Sequence, residues 1–258
     1  NKVNSILVTE IHYNNKVFSV DTDKGIDLSI RNDFSGRAPT FYGSEQPRYK
    51  ALRSGNFVGD IKEGGSCNVP IVTLDIHCTG THTESISHVI DSEVKITDVC
   101  PNGMIPTCLV SVELCEANET NESYHSDIVN DKLITKKELQ KNIPESCSGL
   151  IIRTIPNDDS KKTRDYHLKP APFFTNDAID HINELGVKHL LVDIPSLDKA
   201  NDGGQLGNHK KFFKQGKTIS ELLFIPNDLK DGFGFLQIQI PNWGLDAAPS
   251  RPIFYSIK

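Results

Sequence analysis

Short apolar runs bounded by turn residues outnumber helical stretches along this chain, so the hydrophobic pattern predicts more strands than helices. Residues 5–13 and 16–20 read as a hairpin about Asn14-Asn15, a turn-prone pair. Residues 69–76 form an apolar, β-rich run that feeds a polar cluster starting at His77, and residues 87–89 then suggest a short helix or buried turn. Two strands broken at Pro106 and Cys108 are expected over 104–114. A helix is expected over 135–142, with Thr135 as its cap and Glu138 three residues on, as in a capping box. Residues 150–154 read as a buried strand. The clearest helix spans 175–185: Thr175 can cap it, Ala178, Ile179, Ile182 and Leu185 share one face, and Gly186 ends it. A core strand over 187–193 follows at once, giving an αβ unit. Residues 222–225 and 234–240 add strands, while the polar, proline-bounded stretch 156–172 reads as an ordered loop. The pattern alone supports a mixed α/β chain.

At 258 residues the chain can bury a large core, and no linker-like stretch divides it, so one domain over 1–258 is expected. A formal net charge of −6 gives no electrostatic case for nucleic acid or an anionic membrane. The doublets Lys136-Lys137, Lys161-Lys162 and Lys210-Lys211 read as solvated surface. No apolar run approaches the roughly 20 residues that span a bilayer. No signal-peptide pattern stands at the start, although the sequence begins at Asn1 without an initiator Met. Six cysteines leave the compartment open, since Cys100, Cys108 and Cys115 could pair in an exported protein. Asn118-Glu119-Thr120 and Asn121-Glu122-Ser123 fit the glycosylation sequon, which matters only in a eukaryotic secretory protein. A cytoplasmic location is the expectation.

The segment from His77 to His88 holds three imidazoles (His77, His82, His88), the Cys78 thiol and the Glu84 carboxylate, with Gly80 where the chain must bend. These are the donors that zinc and similar divalent ions prefer. His82 and Glu84 are two apart, so on a strand both side chains point to one face and can share an ion. A polar loop rich in His and Thr is the bland alternative, and it must also account for Cys78, Gly80 and His88.

A second group lies downstream: Asp193-Ile194-Pro195-Ser196-Leu197-Asp198, then Asp202-Gly203-Gly204, His209 and Glu221. Together the two stretches resemble the cyclase / kynurenine formamidase-like family of metal-dependent hydrolases. Its leading motif is His-x-Gly-Thr-His-x-Asp-x-Pro-x-His, and its second signature is Asp-x-Pro-Ser-x-Asp followed by a His and then a Glu. The likeness runs from Gly25-Ile26-Asp27-Leu28-Ser29 to Pro249-Ser250-Arg251-Pro252. Gly80, Thr81, His82 and His88 coincide with the leading motif, whereas Cys78 stands for its first His, Glu84 for its Asp and Ile86 for its Pro. Thiolate and the longer carboxylate still offer metal ligands. His77 is an alternative to Cys78 if the register slips by one residue.

The resemblance implies a swivelling β/β/α fold, with helices outside a central β-structure. It implies a two-metal site of Cys78, His82, Glu84, His209 and Glu221, with Glu84 and Glu221 able to bridge, in which activated water hydrolyses an amide. His88 matches the family's catalytic histidine, a proton shuttle between attacking water and leaving nitrogen; its alternative is a hydrogen-bonded brace for Glu84. Asp202 is either a similar support or a turn residue ahead of Gly203-Gly204. The expected cofactor is zinc, one or two ions, with manganese as the alternative. The expected protein is an arylformamidase-like amidohydrolase taking a small-molecule amide or cyclic amide, and a homodimer or larger homo-oligomer with its pocket near a subunit interface. Phe41, Tyr42, Tyr166, Phe173, Phe174 and Trp243 are candidates to line that pocket, although core packing explains each as well. The rival expectation is a non-catalytic member that keeps a structural metal and serves as a binding protein. His88 favours the enzyme, because a structural site has no use for a proton shuttle.

Overall fold

The structure is a computed structural model that describes residues 8–141, 143, 147–214 and 216–257. Nine strands join in one sheet: β1 (Ile26–Asp27), β2 (His82–Glu84), β3 (Ile105–Glu113), β4 (Gly149–Ile155), β5 (His189–Val192), β6 (Thr218–Glu221), β7 (Gly232–Gln239), β8 (Ala247–Pro249) and β9 (Arg251–Ser256). Their spatial order is β8-β2-β6-β5-β4-β3-β7-β9-β1. The middle block of β6, β5, β4 and β3 is parallel. Antiparallel strands flank it on both sides.

Parallel strands must be covered on both faces, which is why β4 and β5 carry the aliphatic runs Leu150-Ile151-Ile152 and Leu190-Leu191-Val192. Leu150, Ile152, Leu190, Val192 and Ile219 turn to one side, where they meet helices α2 (Lys136–Gln140), α3 (Asn176–Glu184) and α4 (Gly207–Phe212) through Leu139, Ala178, Ile179, Ile182 and Phe212. The alternate residues Leu109, Ile151 and Leu191 turn to the other side against Leu28, Leu236, Ile238 and Phe254, together with Ile96 of the short helix α1 (Ile96–Val99). Each such side chain contributes about 1.5–3 kcal/mol when fully buried. The mixed α/β architecture agrees with the expected central β-structure and outer helices. Among the described residues no helix is long and apolar enough to cross a membrane.

The local expectations hold where one strand or helix decides its own packing. The first hairpin pairs Val8–Tyr13 with Lys16–Asp21 about Asn14 and Asn15, both at positive φ; residues 5–7 lie outside the described residues. Thr175 caps α3 by accepting from the Ala178 amide, and Gly186 follows the helix at φ 76°. Thr135 caps α2 in the same way, while Asn142 lies outside the described residues.

Four expectations are corrected. Residues 104–114 hold one strand, Ile105–Glu113, and not two, because β4 joins β3 only from Thr107 onward and Pro106 leaves no ladder position empty on that side. The run 69–76 stays out of the core: only Pro70–Thr73 is a strand, and it pairs with Arg48–Ala51 in an exposed ribbon. Residues 222–225 are buried but not a strand, since Leu222 turns to φ 55° just beyond β6. Lys161 is buried rather than solvated, its Nζ bonded to Asp193 Oδ2 at 2.7 Å, Thr154 Oγ1 at 2.8 Å and Asn157 Oδ1 at 3.0 Å. That ammonium ties the 156–172 loop to the end of β5. Cys108 pairs with Cys147 in a disulfide, while Cys100 and Cys115 are free.

Candidate metal centre

β2 lies between β6 and β8, and the register places Glu221 and Pro249 opposite His82, and Ile219 and Ala247 opposite Glu84. Because side chains alternate along a strand, His82, Glu84 and the cross-strand Glu221 share one face. His82 Nε2 lies 3.5 Å from Glu221 Oε2 and 3.9 Å from Glu84 Oε2. Helix α4 delivers His209, whose Nε2 lies 3.2 Å from Glu221 Oε1 and 3.3 Å from Glu84 Oε1. All four side chains are buried. Gly80 admits this geometry, since a Cβ there would collide with the Asn32 side chain.

Each imidazole is held by its far nitrogen. His82 Nδ1 sits 3.0 Å from the Gly80 carbonyl oxygen, which can only accept, so Nδ1 carries a proton and Nε2 is the nitrogen left to face the carboxylates. His209 Nδ1 lies 2.7 Å from Asp198 Oδ2, and Asp198 in turn accepts from the His209 and Asn208 amides and the Tyr124 hydroxyl. His82 Nε2, His209 Nε2 and Glu84 Oε1 remain buried with no aligned hydrogen-bond partner. Each such atom costs about 1–3 kcal/mol. Two orphaned imidazole nitrogens and an orphaned carboxylate oxygen set around the Glu84 and Glu221 carboxylates are an arrangement a divalent cation satisfies, so the residues fit a metal.

His88 ends the 3₁₀ turn Ile86–His88, with Nε2 3.7 Å from Glu84 Oε2 and Nδ1 3.7 Å from Asp246 Oδ2. His77 stacks on it with ring centroids 4.1 Å apart, its Nδ1 2.9 Å from Glu84 Oε2 and its Nε2 3.1 Å from Asp246 Oδ2. Burial lowers His88, and Glu84 offsets this only in part because His77 and His209 add to it. Burial would lower His77 as well, but the Asp246 and Glu84 carboxylates hold it up at about 10. The Cys78 thiol is pushed up to about 12 by burial and by Asp75, Glu221 and Glu84.

Of the sequence-selected residues, His82, Glu84, His209 and Glu221 are thus brought together, and His88 stands beside them. Cys78 is on the wall of the same cleft, but its sulfur is outside the grouped donors, whereas His77 joins Glu84 and His88 in one group. His125, Asp198 and Asp202 form a further His/Asp group among the described residues. Its carboxylates are occupied by protein donors, Asp202 accepting from the Gln205 and Leu206 amides and lying 3.1 Å from His125 Nε2. Asp202 therefore braces the start of α4. Asp246 and the Tyr124-His125 strap were not among the residues singled out from sequence. The one signal for Asp246 is its place three residues before the Pro249–Pro252 stretch.

A cleft of about 230 Å³ opens onto the donors. Phe41, Tyr42, Pro195 and Leu206 give it apolar walls, and His88, His209 and Glu221 line its inner end. Tyr42 and Leu206 hold φ of 58° and 47°, left-handed conformations that cluster at functional sites. Tyr166 is buried against Phe41 without lining the cleft, and Phe173, Phe174 and Trp243 do not line it either.

A family model described as putative cyclase matches residues 26–199. The kynurenine formamidase of Bacillus anthracis is 26% identical over 239 residues, covering 92% of this chain and 99% of the relative. A solved structure described as a potential metal-dependent hydrolase with cyclase activity superposes with a TM-score of 0.64 at 19% identity, over 91% of this chain and 98% of that one. Isatin hydrolase A from Labrenzia aggregata, bound to benzyl benzoate, gives 0.63 at 17% identity, over 91% and 94%. At these identities the two structures establish the fold.

Proposed function

The chain belongs to the putative cyclase family, and on that premise we propose that it is a metal-dependent amidohydrolase cleaving the amide C–N bond of a small molecule. A formylated aromatic amine is the favoured substrate class, supported by the kynurenine formamidase relatives. The observation that carries the proposal is that the buried, unbonded His82 Nε2, His209 Nε2 and Glu84 Oε1 all lie around the Glu84 and Glu221 carboxylates. These residues would hold one ion, or two with the carboxylates bridging. Cys78 is the proposed further ligand and His77 its alternative. Two imidazoles and two carboxylates suit zinc, with manganese next.

A divalent ion bound there supplies a Lewis acid that polarises a carbonyl and makes an attacking water more acidic. His88 is proposed to move the proton: a neutral imidazole takes one from water at Nε2 and returns it to the leaving nitrogen. The Asp246 carboxylate, 3.7 Å from His88 Nδ1, steadies the charged form of the ring through its negative charge. Asp198 keeps the His209 Nε2 lone pair on the donor cluster. Phe41, Tyr42 and Leu206 exclude water from the cleft and receive the apolar part of the substrate. A metal held only for structure closes its shell with protein ligands, whereas this cluster opens onto a cleft, which favours catalysis over a binding role.

Assembly into a homodimer or larger oligomer is part of the proposal. Tyr49, Ile71 and Val72 are exposed on the Arg48–Ala51/Pro70–Thr73 ribbon, and a two-stranded ribbon alone is marginally stable.

The test is elemental analysis of purified protein combined with hydrolysis of N-formylkynurenine, formanilide and isatin before and after chelation. Bound divalent metal with chelator-reversible hydrolysis supports the proposal. Metal without hydrolysis supports the binding-protein reading, and a chain that takes up no divalent ion overturns both.

A further inference from the structure

The 117–131 loop carries a motif that hydrolysis does not use. Asn118-Glu119-Thr120 and Asn121-Glu122-Ser123 are the only two Asn-x-Ser/Thr triplets in the chain, and they stand three residues apart. The neighbouring polar groups are spent on fixing the loop: Glu122 accepts from the Lys136 and Lys137 amides and the Thr175 hydroxyl, and Ser123 bonds Asp177 through both its amide and its hydroxyl. Asn118 and Asn121 are exposed, and neither side-chain amide is hydrogen-bonded among the described residues. No residue from 117 to 123 lines the cleft, so a bulky group on either asparagine leaves the cleft open.

A second observation is independent of the motif. Cys108 and Cys147, which bracket this loop in sequence, are disulfide-bonded at a Cα separation of 6.0 Å, inside the span that such bonds need. Both cysteines are buried. Such bonds persist in oxidising compartments, which in eukaryotes are the compartments where asparagine-linked glycans are added.

We propose that this chain matures in an oxidising secretory compartment and carries an N-linked glycan on Asn118, Asn121 or both, in place of the cytoplasmic location expected from sequence. In the transfer, the asparagine Nδ2 forms a bond to the anomeric carbon of an oligosaccharide carried on a lipid pyrophosphate. The carbon–oxygen bond to pyrophosphate breaks, the lipid pyrophosphate leaves with the electron pair, and the amide proton passes to a base; nothing is oxidised or reduced. In the disulfide step, the two thiols give up two protons and two electrons to a protein disulfide of the compartment, which becomes a dithiol.

The experiment takes the chain purified from its own cells without reductant. Intact mass is recorded before and after peptide N-glycosidase, which leaves Asp wherever a glycosylated Asn stood, and free thiols are alkylated before digestion and peptide mapping. The expected result is an oligosaccharide mass excess removed by the enzyme, Asp at position 118 or 121, and a linked Cys108–Cys147 peptide. Unmodified asparagine at both positions overturns the proposal, as does alkylation of Cys108 and Cys147. The double variant Asn118→Gln/Asn121→Gln from the same cells should lack the excess and keep wild-type metal content; if it retains the excess, the glycan is elsewhere and the assignment is wrong.

Discussion

Acid should weaken this fold through His189, and by an amount that can be isolated. The side chain is buried at the start of β5, with Nδ1 2.9 Å from Thr218 Oγ1. Burial, with the nearby Lys188, lowers its pKa from 6.5 to about 4. Between those values the unfolded chain binds a proton that the folded chain refuses, so stability is full above about pH 6.5 and falls as pH drops toward 4. The shift of 2.5 units at 1.36 kcal/mol each comes to about 3 kcal/mol. His189→Gln removes this titration. At pH 8 the variant should be about 1 kcal/mol less stable than wild type, the usual net worth of the lost hydrogen bond to Thr218. By pH 4 it should be about 2 kcal/mol more stable, so the two stability curves cross. Denaturant midpoints at pH 8, 6.5, 5 and 4 measure this, and the carboxylates that also titrate there cancel in the comparison. Parallel curves across the whole range would refute the reasoning, because they would mean that His189 ionises as easily in the fold as outside it.

His88→Ala should keep wild-type metal content by elemental analysis while lowering turnover by roughly 10²–10⁴-fold, the usual loss with a general acid–base; loss of the metal would make His88 a ligand instead. Competition with a chromogenic chelator should rank Cys78→Ala well below His77→Ala in metal affinity if Cys78 is the ligand, and the reverse order assigns that place to His77. Asp198→Asn should lower metal affinity by about 10–100-fold with an unchanged circular dichroism spectrum, since the amide no longer anchors His209 Nδ1 as strongly; unchanged affinity would make Asp198 a support for α4 alone.

The parts of the structure that were legible in the sequence are those governed by a short repeat or a spacing. The α3 stripe of Ala178, Ile179 and Ile182, its Thr175 cap and its Gly186 stop are all local. His82 and Glu84 share a face because they are two apart on a strand. His209 and Glu221 were selected by resemblance, and the fold brings them to the same point. What escaped depended on pairings that no local pattern encodes. The 69–76 run has strand chemistry throughout, yet it pairs with an exposed neighbour and so never enters the core. Lys161 reads as surface because a lysine doublet is normally solvated, and only the buried Asp193 opposite reverses that. Asp246 joins His77 across 169 residues of sequence, a distance over which sequence spacing carries no information.

The placement of β2 between two strands from the far end of the chain gives the site a timetable. Thr83 and Ser220, which lie opposite each other in that pairing, are 137 residues apart, and β8 is made later still. At a synthesis rate of about 5–20 residues per second, the interval between the emergence of His82 and of Pro249 is on the order of 10–30 s. During it the imidazoles and the thiol of residues 77–88 have neither strand beside them. An ion captured in that interval is chosen by intrinsic affinity, an order in which copper outranks zinc. An ion captured after β8 docks is chosen by the geometry of the closed sheet. Which metal the finished protein holds therefore depends on whether loading waits for the last strands to arrive.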